Sequence, residues 1–160
     1  MNLSAAAITL LFFLTGCSAT GPRFHETQFA TQPAPADKGR IIFFRESDAN
    51  FRSVTIGVDG SIVGALAHNG FISIDIALGY HQVSAWVRYA PVGEFVMRMT
   101  VGAGETYYVR VSHRSVRMLY PLLGLAGGVL TLADRKGEFQ MEPVSAAVAL
   151  RTLGELNLSE

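Results

Sequence analysis

The sequence predicts a mainly β protein, an antiparallel β-sandwich of about seven to eight strands with one short helix near the C-terminus. Three observations lead there. From Arg40 to Glu142 short apolar or alternating segments recur with turn signals about every ten residues. The turns are marked by Asp59-Gly60, Asn69-Gly70, Leu78-Gly79 and Gly102-Ala103-Gly104. No helical spacing of apolar residues intervenes until Ser145.

The first strand is Arg40 to Arg45, where Ile41-Ile42-Phe43-Phe44 is apolar without alternation, as suits a strand covered on both faces. Val54, Ile56 and Val58 then alternate with Thr55 and Gly57, and Asp59-Gly60 supplies the two positive-φ residues of a type I′ turn. The returning strand, Ser61 to Ala67, is expected to set Ile56 opposite Val63 and Val54 opposite Ala65. After Asn69-Gly70, Phe71, Ser73 and Asp75 share one face and Ile72, Ile74 and Ile76 the other.

Beyond Leu78-Gly79-Tyr80, Val83, Ala85, Val87 and Tyr89 point one way while Gln82, Ser84, Trp86 and Arg88 point the other. Pro91 and Gly93 end that strand, and Phe95, Met97, Met99 and Val101 form the inner side of the next. Gly102-Ala103-Gly104 fits a three-residue hairpin that pairs Met99 with Tyr107 and Met97 with Val109. Met118 to Ala133 is uncharged, contains Pro121, Gly124, Gly127 and Gly128, and is expected to be a loop or hairpin covering the core, the alternative being an exposed membrane-resting or oligomer-forming patch. Glu138 to Glu142 forms a last strand with Phe139 and Met141 inward. Pro143 and Ser145 open a short helix whose apolar stripe is Ala146, Leu150 and Leu153, ending at Gly154.

The N-terminus is read differently. Ala5 to Leu14 is uncharged and almost wholly apolar, but it is shorter than the roughly twenty residues a membrane-spanning helix needs. It fits the apolar region of a secretory signal, although Met1 to Ser4 carries no Lys or Arg. Leu14-Thr15-Gly16-Cys17 resembles the lipobox of bacterial lipoproteins. The resemblance implies that residues 1–16 are removed and that the Cys17 thiol carries a diacylglycerol in thioether linkage. Ser18 rather than Asp after that cysteine implies an outer-membrane anchor facing the periplasm. Residues 17–39, rich in Ala, Thr, Gln and Pro, are expected to be a flexible tether, and residues 40–160 the folded domain. Cys17 is the single cysteine, so no disulfide closes within the chain.

Lys plus Arg and Asp plus Glu both total 13 in 160 residues, a balance that speaks against nucleic acid as a partner. All the basic residues except Lys38 and Lys136 are Arg, which favours planar contacts to carboxylates, phosphates and aromatic rings. His25, His68, His81 and His113 have neither HxH nor HxxxH spacing, so no metal site is assigned, and no cofactor beyond the lipid on Cys17. Ser73 and Asp75 with His81 or His113 lack a nucleophile-elbow motif, and Asp59 is a turn residue without an acid–base partner; no catalytic residue is assigned.

Strand parity instead selects Trp86, Arg88, Arg98, Tyr108 and Arg110 as a candidate face for an envelope protein, glycan or lipid. The chain therefore reads as a non-enzymatic envelope module bound to the membrane through its anchor. The alternative is an envelope hydrolase or carbohydrate-active enzyme, whose signature is a deep polar pocket joining His68, His81 or His113 to an Asp.

Val58-Asp59-Gly60, Gly64, Gly70-Phe71 and Leu78-Gly79-Tyr80-His81 resemble the pattern of an uncharacterised family of bacterial lipoproteins, the domain of unknown function 2846. The similarity runs from Arg40 to Val111, with Leu78-Gly79 where the family commonly has Pro-Gly. It implies a small β-domain at the cell envelope and transfers no catalytic residue.

Overall fold

A computed structural model describes residues 18–48, 52–90, 93–114 and 137–159. The proposed leader, the lipobox residues Leu14, Thr15, Gly16 and Cys17, and the segment 118–133 lie outside the described residues. The strands are β1 (Gly39–Arg45), β2 (Val54–Val58), β3 (Ser61–Leu66), β4 (Gly70–Ile76), β5 (Gly79–Trp86), β6 (Phe95–Val101), β7 (Thr106–His113), β8 (Phe139–Val144) and β9 (Asn157–Leu158). They form a five-stranded sheet in the order β8-β7-β1-β4-β9 and a four-stranded sheet in the order β3-β2-β5-β6. The result is the expected mainly β sandwich, with a short helix near its C-terminus.

Side-chain alternation builds the core between the sheets. Ile41, Phe43, Ile56, Val83, Val109 and Phe139 meet there, all excluded from solvent. The other parity of β1 and β4 sends Ile42, Phe44 and Phe71 outward into a second apolar layer with Phe24, Ala149 and Leu153. This explains the unbroken apolar run of β1, which lies between β7 and β4 and is covered on both faces.

The second layer is closed partly by the segment expected to be a solvated tether. Residues 18–38 are docked instead. Ser18 bridges His68, Arg23 bridges Asn157, and a 3₁₀ turn at Phe24–Glu26 precedes a short helix, α1 (Gln28–Thr31). Phe24 packs edge-on against Phe71 with ring centroids 5.3 Å apart. Arg40 reaches out from β1, pairs with both Asp75 oxygens at 2.7 and 3.1 Å, donates to the Gln32 carbonyl at 2.7 Å and lies over the Phe29 ring. The absence of apolar periodicity in 18–38 had suggested disorder, but its stability comes from Phe44, Phe71 and Arg40, remote in sequence.

The helix α2 (Ala146–Leu153) closes the remainder, with a correction to its inward face. Ala149 and Leu153 are buried, whereas Ala146 and Leu150 face solvent. The helix follows β8 after Ser145 alone and packs Ala149 and Leu153 into the apolar layer of Ile42, Phe44 and Phe71.

Two pairings also depart from local expectation. Asp59 and Gly60 have φ of 49° and 80°, as the type I′ turn requires, and Val58 pairs with Ser61. A bulge then moves the register so that Ile56 faces Gly64 and Val54 faces Leu66, not Val63 and Ala65. Gly64 sits under Ile72, where a Cβ would lie 3.2 Å from Cδ1, so a residue without a side chain occupies the close approach to β4.

Gly102-Ala103-Gly104 is not a hairpin. β6 pairs with β5, setting Met97 opposite Val83 and Met99 opposite His81, while β7 joins the other sheet parallel to β1. Tyr107 and Val109 accordingly face Ile41 and Phe43. The turn is a crossover tied to the start of β1: Gly104 donates to the Lys38 carbonyl at 2.8 Å, and Arg40 donates to that of Glu105 at 2.8 Å. With β4–β9, this gives two parallel strand pairings among the described strands, whose other pairings are antiparallel.

Candidate functional site

The five residues of the predicted face are divided between opposite sides of the molecule. Trp86 and Arg98 project from the outer face of the four-stranded sheet, with Arg88 just beyond the end of β5. Tyr108 and Arg110 project from the outer face of the five-stranded sheet. Parity was correct within each strand, but the crossover after β6 reverses which side of the sandwich is outward.

On the four-stranded sheet, Trp86 pairs with Thr55, Ser84 with Gly57 and Val96, and Gln82 with Arg98. The indole lies across Gly57, where a Cβ would come within 2.9 Å of Trp86 Cζ3. Beside it is a groove of about 230 Å³ lined by Ser53, Thr55, Ile62, Ala65 and Arg88. Ile62, Tyr80 and Val96 add exposed apolar surface. None of β2, β3, β5 and β6 contains an Asp or Glu. Two guanidinium groups and an aromatic floor therefore face solvent without a strand carboxylate to neutralise them, which suits an anionic partner with apolar or planar groups.

Tyr89 was expected on the inner side with Val87. It lies instead beyond the strand with φ of 62°, is 94% exposed, and has the Arg88 guanidinium 5.8 Å from its ring centroid.

The surroundings of Tyr108 and Arg110 are different. Tyr108 packs against the second apolar layer, and burial pushes its phenol pKa up. Ser73 Oγ and Arg110 Nε are buried without a hydrogen-bond partner among the described residues. Glu142 is opposite Arg110 on β8.

The histidines test the enzymatic alternative. Asp59 does have a partner: its Oδ2 is 2.6 Å from His81 Nδ1, and its Oδ1 accepts the Gln82 N–H at 2.9 Å. His81 Nε2 lies 2.9 Å from the Ala77 carbonyl. The Asp59 hydrogen bond holds the His81 pKa above its ordinary value, and that of Asp59 is lowered in return. Both ring nitrogens face acceptors, so the protonated ring donates from both, and the raised pKa favours that form. The pair is a clip between two turns.

His68 Nε2 is 3.2 Å from Ser47 Oγ, beside a polar pocket of about 540 Å³ lined by Glu46, Ser47, Asn69, Arg151, Thr152 and Glu155. The same nitrogen lies 3.1 Å from the Asp48 amide and 3.0 Å from its carbonyl. In either tautomer the Asp48 main chain competes with Ser47 for that nitrogen. The Asp48 carboxylate binds the fully buried Arg45 at 2.6 and 3.0 Å, and Arg45 also stacks over Phe139. His113 lies edge-on to Phe139, and His25 is 4.0 Å from Glu26. No cluster of three potential metal ligands occurs among the described residues.

Sequence reading had missed the structural roles of Arg40 and Arg45. Their signal was the pair of charges bracketing an otherwise apolar strand. The fold and surface together define a β-sandwich with one outer face closed by its own chain and, among the described residues, no helix or strand over the other. Compared with known proteins, the chain matches no family model and no curated relative.

Proposed function

We propose that this protein is a lipid-anchored, non-enzymatic binding module of the bacterial cell envelope. In this reading residues 1–16 are a cleaved signal, and Cys17 carries the lipid at the periplasmic side of the outer membrane. The open face of the four-stranded sheet takes an envelope protein or glycan bearing anionic groups. The resemblance to the domain of unknown function 2846 accords with that location.

One observation carries the binding role: no described helix or strand lies across the outer face of β3-β2-β5-β6, yet Trp86 spans Gly57 there beside a groove edged by Arg88. The indole shields the Gly57 backbone and, beside the Arg88 groove, offers a planar surface to a partner. Trp and Arg are also the side chains that most often dominate interface energetics, at about 2 kcal/mol or more each when central.

Cross-linking in intact cells tests the role. The wild-type protein is expected to give discrete adducts that are lost from a Trp86→Ala, Arg98→Ala variant of equal abundance. Identical adduct patterns would remove the face from consideration.

A further inference from the structure

We infer that the partner of this surface is a polypeptide, bound as an extended strand along the outer edge of β3 with a carboxylate set against Arg88. The inference rests on the binding role proposed above and deepens it by naming the class of partner and the main-chain groups that hold it.

Strand register identifies those groups. Successive residues of an antiparallel strand turn their amide and carbonyl towards one neighbour and then the other. The Asp59 amide donates to the Gln82 carbonyl at 2.8 Å, on the β5 side of β2. By alternation Thr55 and Gly57 also address β5, while Val54, Ile56 and Val58 address β3. Ile62, opposite Gly57, and Ala65, opposite Thr55, therefore turn their amides and carbonyls away from β2. Ala67 continues that phase, and its amide donates outward to Ser159 Oγ at 3.1 Å. No described residue bonds the main chain of Ile62 or Ala65 from that side. A row of such donors and acceptors is a template for another strand, which favours a polypeptide over a glycan.

The edge also lacks the usual guards. Sheet edges are commonly blunted by a charge or a proline. β6 carries Arg98, and β8 carries Glu142 and Pro143, whereas Ser61-Ile62-Val63-Gly64-Ala65-Leu66 has neither. The bulge leaves Val63 without a partner on β2 and sets the two outward residues three apart, so an incoming strand follows the same kink.

Side chains supply the rest of the recognition. Ile62 is 59% exposed, and with Ala65 it lines the groove whose other walls include Thr55 and Arg88. A strand added beside β3 lays every second side chain on that outer face, next to Ile62 and Ala65. No strand of this sheet offers Arg88 a carboxylate. The bound segment therefore combines a small apolar residue over the groove with an Asp or Glu in reach of the guanidinium.

The test uses the full chain in intact cells, with the photoreactive residue p-benzoylphenylalanine in place of Ala65, an exposed position. The expected product is an adduct with a different polypeptide whose cross-linked stretch contains Asp or Glu. Ile62→Pro removes an amide that β2 does not use, and it is expected to lower the adduct about tenfold at unchanged abundance. Ile62→Thr keeps that amide and is expected to keep the adduct, whereas Arg88→Glu is expected to lower it about tenfold. If the proline variant is less abundant, Ile62→Lys, a charged guard at the same place, is used instead. An adduct undiminished by the proline or lysine variant overturns strand addition, and a glycan or a second copy of this chain in the adduct overturns the choice of partner. No adduct from position 65, alongside others that Trp86→Ala, Arg98→Ala abolishes, overturns this inference alone. Wild-type adducts that the same double variant leaves unchanged overturn the binding face, and the inference with it.

Discussion

The two outer faces of the sandwich begin from the same strand geometry and end differently. On the five-stranded sheet, Ile42, Phe44 and Phe71 point outward and are covered by residues 18–38 and α2. On the four-stranded sheet, the outward positions Gln82, Ser84, Arg98 and Thr100 are polar, and no described element lies over them. The difference teaches that a strand's second face announces its own fate. Continuous apolar sequence requires a cover, whereas alternation tolerates water. Trp86, Ile62 and Val96 are the exceptions on the alternating face, and they gain a reason if a partner completes the cover.

Stability measurements sharpen this contrast. Phe44→Ala, which empties a fully buried site under the docked segment, is expected to cost about 3–5 kcal/mol in urea unfolding. Ile62→Thr on the open face is expected to stay within about 0.5 kcal/mol. Comparable costs at the two positions would mean that the faces do not differ in the way described.

A smaller effect is expected at the floor of the groove. Gly57→Ala brings a methyl group within 2.9 Å of the present Trp86 ring and Ser84 hydroxyl positions. The surface indole is free to shift, so the cost should be about 1 kcal/mol. Trp86 emission should move to the red as the ring lifts, and an unchanged spectrum would contradict its placement over Gly57.

The weakest expected effect is the pH dependence of the His81–Asp59 clip at the β2–β3 turn end of the four-stranded sheet. Because the His81 pKa is raised on folding, its contribution is fully present below the ordinary histidine value of about 6.5 and is lost as pH rises through the folded value. The lowered Asp59 value works oppositely: its contribution is present above the ordinary carboxylate range and disappears as pH falls through the folded value. His81→Asn should therefore destabilise more at pH 5 than at pH 9. An NMR titration should place His81 above a model imidazole; a value at or below it would remove the clip.

Much of this architecture is legible before any coordinates. The alternation in β2, β5 and β6 identifies core residues, the Arg40 to Arg45 run identifies a central strand, and Asp59-Gly60 identifies its turn type. The candidate face is half legible: Trp86, Arg88 and Arg98 are grouped correctly, while Tyr108 and Arg110 belong to the other side. His81 could not be matched to Asp59 without the β2–β5 pairing that brings residues 22 apart in sequence together.

The sequence alone determined strand parity, turn conformation and the need to cover both faces of β1, because these follow from side-chain alternation and from the φ angles individual residues accept. Tertiary structure decided which sheet β7 joins, how residues 18–38 are held, and thus which outward side chains share a surface. Those outcomes depend on competition among distant partners for the same strand edges and apolar faces, a competition settled only when the whole chain packs.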